Sequence, residues 1–372
     1  MSAPRATKGT SLKELTLRGI IIGGIITLVF TAANVYLGLK VGLTFATSIP
    51  AAVISMAVLR FWGDHTVQEN NIVQTIASAA GTLSAVIFVL PGLVIVGWWS
   101  GFPYWQTMFV CAVGGSLGVM YSIPLRRALV TGSDLPYPEG VAGAEILKVG
   151  DSQEAGEDNK RGLLAITWGA LASAAMALFG YLKVTASEVG AAFRIGSTGT
   201  MLSTSLSLAK GVLGGGIDWK LLGIGAAIGV VVIIIDEVLR PASKGKLALP
   251  PLAVGMGIYL PASLTILIPI GGLIGFLYNR WADKQADVER AKRFGTLAAT
   301  GLIVGESLFG VVYAGIAGAT GSESPLALPF IGDGFTPVAN VLGIVFFAGA
   351  TWLLYGFARK ITRDADRESA SK

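Results

Sequence analysis

Few ionisable residues fall within or between the apolar runs of this chain, and two of them could do chemistry there. Glu306 lies inside the run Phe294–Ala317, and Glu139 directly follows Pro136-Tyr137-Pro138. A charged carboxylate at the centre of a bilayer costs about 2.5–3.5 kcal/mol, so Glu306 needs a partner, a proton or water beside it. Such an acid can couple proton movement to a conformational change. Glu139 has the same capacity and, with the Tyr137 phenol, could bind an amino group. Proline fixes φ and lacks an N–H, so no helix passes smoothly through Pro136–Pro138. A bend followed by Gly140, the small run Val141–Ala144 and Glu145 suits a binding site at a broken helix. The same composition also suits an interfacial loop whose acids face water.

Amide side chains form a second group. Asn71 and Gln74 sit three residues apart, on one face of a helix, and could hydrogen-bond a peptide-like backbone. Asn70 or Asn71 could instead simply cap that helix. Tyr259, between Gly257 and Pro261, could line a site in another proline-cut segment. Asn34 reads as interhelical glue, and Asp236 and Glu237 beside Arg240 read as a solvated span end.

Other chemistries lack their residues. One cysteine, Cys111, excludes an intramolecular disulfide and a cysteine-rich metal site, and the single histidine, His65, reads as a solvated loop residue. No metal or cofactor is expected. No G-x-x-x-x-G-K-[ST] loop appears, so ATP is not the direct energy source, and no H-E-x-x-H or other catalytic constellation points to an enzyme.

The elements that must position these residues are membrane helices. The 372 residues are 53% hydrophobic and 14% charged, whereas soluble domains carry about 25% charged residues. Apolar runs repeatedly reach the roughly 20 residues that cross a bilayer. The net charge of +5 does not imply nucleic acid, because the basic residues stand at the ends of apolar runs. The predicted fold is an all-α polytopic transmembrane bundle of about nine to ten spans in a single domain, 1–372, with kinked and broken helices.

Residues 1–15 form a polar tail, and Leu17–Leu39 a retained signal anchor. Val41–Leu59 is expected to be a span kinked at Pro50, and Ile72–Trp98 the next. Trp98, Trp99, Tyr104 and Trp105 mark an interface before the span Gln106–Ile123. Gly162–Leu182 and Leu221–Leu239 span, whereas Lys183–Trp219 is external or re-entrant. Leu247–Tyr278, cut by Pro250, Pro251, Pro261 and Pro269, is expected to be a broken helix or short hairpin. Phe294–Ala317 and Pro337–Phe357 complete the spans. Residues 151–161 and 280–293 are expected to be charged cytoplasmic loops and 359–372 a polar tail, with both termini cytoplasmic by the positive-inside rule. Small-xxx-small pairs at Gly19/Gly23, Gly114/Gly118, Gly225/Gly229, Gly271/Gly275 and Gly301/Gly305 predict close helix packing.

Several stretches taken together resemble the oligopeptide transporter family, in its prokaryotic form related to the yellow-stripe-like carriers. They are Ala32–Arg60, Asn70–Leu93, Ser122–Gly150 with its LPYPEG core, Leu249–Pro261 and Arg293–Val311. The match rests on polar and proline positions and not on greasiness. Members of that family are longer, and this chain departs from them after Ser205–Ala209, where central helices are missing. The resemblance implies a multi-pass protein of the inner membrane. It would be a secondary transporter of small peptides or peptide-like metal chelates, coupled to protons. Tyr137, Glu139, Asn71, Gln74 and Tyr259 would then contact substrate, and Glu306 and Glu139 would carry the proton. A homo-oligomer is compatible with this reading. The alternative is a non-transporting membrane scaffold or a shortened, inactive homologue.

Overall fold

The computed structural model describes residues 14–41, 44–62, 65–133, 137–150, 157–186, 219–245, 247–259, 265–322 and 324–371. Among them every regular element is helical: α1 (Leu17–Val41), α2 (Ser48–Arg60), α3 (Val67–Leu83), α4 (Leu90–Ile95), α5 (Tyr104–Arg126), α6 (Pro138–Gly150), α7 (Glu157–Tyr181), α8 (Trp219–Ala242), α9 (Pro251–Tyr259), α10 (Leu267–Ala282), α11 (Val288–Thr320) and α12 (Thr336–Ser371). Among the described residues, seven helical stretches are long and apolar enough to cross a membrane. Local signals set several ends. Thr66 accepts from the Glu69 N–H at 3.1 Å to cap α3, Asp287 accepts from the Arg290 N–H at 3.0 Å to cap α11, and Gly321 closes α11 at φ +64°.

The bundle is built on close backbone contact between α7 and α11, which run parallel. A Cβ on Gly305 would strike the backbone carbonyl of Ala170, and one on Gly301 that of Ile166. Gly19 and Gly23 likewise admit α3 against α1, where Thr27 reaches the Ile76 carbonyl at 3.0 Å. These two small-residue pairs serve packing. A Cβ added at Gly114, Gly118, Gly225, Gly229, Gly271 or Gly275 would meet no described residue within 4 Å. Helix α5 buries no side chain, and α8 packs on α9.

One end of the bundle collects charge. Arg18 of α1 meets Glu69 of α3, Glu145 of α6 meets Arg293 of α11, and Arg290 lies near Asp158, Asp287 and Asp366. Arg161 pairs with Glu368 at 2.6 Å. Three expected loops or tails are therefore corrected. Residues 157–161 open α7, 280–282 close α10 with 288–293 opening α11, and 359–371 continue α12. Hydropathy marks where a helix leaves the bilayer, not where it ends. These segments stay helical because their charges pair and because Ala358, Ile361 and Ala365 are buried in the main core.

The expected span Val41–Leu59 is also corrected. α2 has 13 residues, about 20 Å, and Pro50 sits in its first turn, where a missing N–H does no harm. Residues 44–47 are not helical. Of Leu247–Tyr278, expected to be a broken helix or short hairpin, the described residues form the short α9 and most of α10, and residues 260–264 lie outside them. Asp236, expected at a solvated span end, is 5% exposed and accepts from the Leu249 N–H at 2.7 Å and from Arg240 at 2.9 Å, fixing α9 to α8. Of the Lys183–Trp219 stretch, residues 187–218 lie outside the described residues.

Candidate functional site: a junction of broken helices

The non-helical backbone at 44–47 needs hydrogen-bond partners inside an apolar bundle, and polar side chains supply them. Asn34, fully buried in α1, accepts from the Phe45 N–H at 2.9 Å and donates to the Phe45 carbonyl at 3.4 Å. Ser307 of α11 donates to the Ala46 carbonyl at 3.2 Å. Thr47 accepts from the Gly81 N–H at 3.2 Å. At 1.5 Å per residue, Ser307 lies about 21 Å along α11 from Arg293, and Asn34 about 24 Å along α1 from Arg18. The break therefore sits deep in the bundle, far from the charged end.

Two short helices begin at this break and run back toward the charged end. α2 opens with Ser48, and α6 opens with Pro138 and Glu139 just past the proline bend. The Ser48 hydroxyl donates to Glu139 Oε1 at 2.6 Å, so the two N-termini meet. Helix N-termini carry partial positive charge and free N–H groups, which is why a carboxylate is stable there. Glu139 is exposed, as a group that exchanges partners must be.

The other sequence-selected residues fall at different distances from this point. Gln74 lies against α6, with its Nε2 3.0 Å from where a Cβ on Gly143 would stand, and its Oε1 is buried without a hydrogen bond. It thus belongs to the α3–α6 seam one turn from Glu139. Asn71 is exposed, and its carbonyl accepts from Thr75 at 2.7 Å. Neither Asn70 nor Asn71 caps α3, because the helix starts at Val67. Asn70 is instead buried and accepts from Ser55 at 2.6 Å. Tyr137 donates to the Leu129 carbonyl at 2.7 Å, holding the proline bend against the turn that follows α5. Tyr259 ends α9, and its side chain lies outside the described residues. Glu306 is exposed on α11, next to the Ser307 that holds the broken segment. The structure thus brings Glu139, Ser48 and Gln74 together and sets Glu306 at the same depth.

Two groups escaped sequence reasoning. Glu69 stands in the polar stretch Phe61–Asn71, yet it is 1% exposed and held by Arg18 at 2.6 and 2.7 Å and by the Thr16 hydroxyl. Its signal was the spacing Thr66-x-x-Glu69, which predicts a capping box. Tyr181 and Tyr313 stack at 3.7 Å, a contact between α7 and α11 that no local pattern announces.

At the charged end, burial pushes the Glu145 carboxyl up, but hydrogen bonds from Lys148 and Arg293 outweigh it and hold the group below its usual 4.5. A carboxyl lowered by folding stabilises the protein above its unfolded value and loses that effect as pH falls through the folded value. Thermal unfolding should therefore show a contribution from Glu145 that is full at pH 7 and fades below pH 4.5. Glu145→Gln should remove that fraction of the pH dependence. An unchanged profile in the variant would show that the pair contributes nothing.

A helix broken deep in an apolar bundle, with a carboxylate at the junction, is the arrangement of membrane carriers. The family model described as OPT oligopeptide transporter protein matches residues 14–205 and 191–317. The chain belongs to the oligopeptide transporter family. Within that family it is 53% identical over 197 residues to a "Putative oligopeptide transporter" of Haemophilus influenzae, covering 53% of this chain and 29% of that one. It is 28% identical over 170 residues to the "Iron-phytosiderophore transporter YSL15" of Oryza sativa subsp. japonica, covering 36% and 24%. It is 26% identical over 160 residues to the "Putative oligopeptide transporter YGL114W" of Saccharomyces cerevisiae, covering 37% and 22%. The chain thus spans less than a third of the length of each of these relatives. Helix α12 lies beyond the family match. No solved structure matches the chain.

Proposed function

We propose that this chain works as a secondary transporter of the inner membrane, moving small peptides or peptide-like metal chelates together with protons. The observation that carries the reading is the junction where α2 and α6 begin, deep in the bundle, with Glu139 bound to Ser48 at 2.6 Å. In this mechanism the substrate's amino group takes the Glu139 carboxylate, and the freed N-termini of α2 and α6 face its negative end. Gln74 and Asn71 bond its amide groups, Tyr137 keeps the bend in place, and Tyr259 is a further substrate contact. Glu306 gains a proton when the junction opens to one side and loses it when the junction opens to the other. The names of the relatives, two for oligopeptides and one for an iron chelate, support this substrate class. Both termini lie in the cytoplasm, because the charged end of the bundle holds Arg18, Arg161, Arg290 and Arg293.

The test is uptake of labelled trialanine into proteoliposomes with and without an inward proton gradient. Gradient-driven uptake is expected. Glu139→Gln should lower it to the level of empty liposomes, and Glu306→Gln should abolish its response to the gradient. A folded protein that takes up nothing would favour the scaffold reading, in which the exposed helix α5 lacks the neighbours that a carrier requires.

A further inference from the structure

Glu306, Phe309 and Tyr313 recur at i, i+3 and i+7, so they form one stripe on α11. Tyr181, the last residue of α7, stacks on that stripe. Its ring lies 3.7 Å from that of Tyr313 at 13°, and 6.0 Å from that of Phe309 at 25°. The neighbours of Glu306 along the helix are committed to packing: Gly305 presses on Ala170, and Ser307 bonds the Ala46 carbonyl. Glu306 itself is exposed, and no described residue hydrogen-bonds it.

A carboxylate about 20 Å above Arg293 is costly unless a positive group or water meets it. We propose that Glu306, with the part-exposed rings of Phe309 and Tyr181, the latter backed by the buried Tyr313, is a binding site for an organic ammonium group. The carboxylate supplies the charge, and the rings supply apolar contact and negative π faces. A bare metal ion does not suit the site. Calcium and magnesium require about six oxygen ligands, and the described residues hold no group of three acidic, histidine or cysteine side chains. Identifying the ligand as the amino end of a transported peptide or chelator, met by Glu306 before it passes to Glu139 and released when Glu306 gains its proton, rests on the transport reading. The ammonium chemistry does not.

Saturation-transfer NMR on the full chain tests the site, using nanodiscs of phosphatidylglycerol, which carries no ammonium headgroup. The probes are butylammonium against 1-butanol, and trialanine against N-acetyl-trialanine. Butylammonium should bind saturably and 1-butanol should not. Glu306→Gln should weaken butylammonium about tenfold and Tyr181→Leu several-fold, while Tyr181→Phe, which keeps the ring, retains wild-type affinity. Trialanine should bind better than its acetylated form, and Glu306→Gln should reduce the difference to what Glu139 alone provides. Butylammonium affinity unchanged in Glu306→Gln, or equal binding of 1-butanol, would overturn the site. Butylammonium binding that depends on Glu306, without binding of either peptide, would uphold the site and count against the peptide carrier. Equal binding of both peptides, with butylammonium indifferent to Glu306, would do the reverse.

Discussion

Replacing Gly305 with valine should unfold the bundle at its tightest seam. The new side chain would run into the backbone of Ala170, and backbone cannot rotate aside as a flexible side chain can. The helices could accept it only by separating, which would also open the Gly301 contacts with Ile166 and Gly169 one turn away. Overpacking typically costs about 1–3 kcal/mol, and this site belongs at the upper end because both partners are main chain. A lowered melting temperature in detergent, with a smaller monodisperse fraction, is the expected result. Gly315→Ala, on the same helix with nothing within 4 Å, should leave the melting temperature unchanged or slightly raised. Equal behaviour of the two variants would mean that α7 and α11 do not meet as described.

Arg18→Ala should have the second-largest effect. It leaves Glu69, 1% exposed, without its two guanidinium hydrogen bonds at 2.6 and 2.7 Å. Hydrogen bonds to charged groups contribute about 1.5–3 kcal/mol, and the lower half of that range applies because the Arg18 side chain is 38% exposed. Glu69→Gln keeps a hydrogen-bonding side chain and removes the charge, so combining it with Arg18→Ala should cost less than the sum of the two. Chemical unfolding of the four proteins would measure that coupling. Additive losses would show that the pair does not join α1 to α3.

Much of this architecture is legible in the sequence because hydropathy and proline act locally. The long runs became α1, α5, α7, α8, α11 and α12, and Pro138 and Pro251 fell at helix starts. The break at 44–47 was hidden because the run through it is apolar. It exists only because Asn34 and Ser307, distant in sequence, satisfy its backbone. Glu139 could be picked out by its bend, but its partner Ser48 lies 91 residues away and no spacing rule links them. Glu69 and Asp236 looked solvated because each stands beside polar or basic residues, and burial alone reveals their structural roles.

The central claim is that the start of α2 and α6 is a water-reached binding site, and cysteine labelling tests it most directly. Ser48→Cys in a Cys111→Ser background carries a single thiol at the junction. In proteoliposomes that thiol should react with a charged, water-soluble methanethiosulfonate, and trialanine should slow the reaction several-fold. A thiol that never reacts, or one that reacts at the same rate with peptide present, would contradict a substrate site between these two helices.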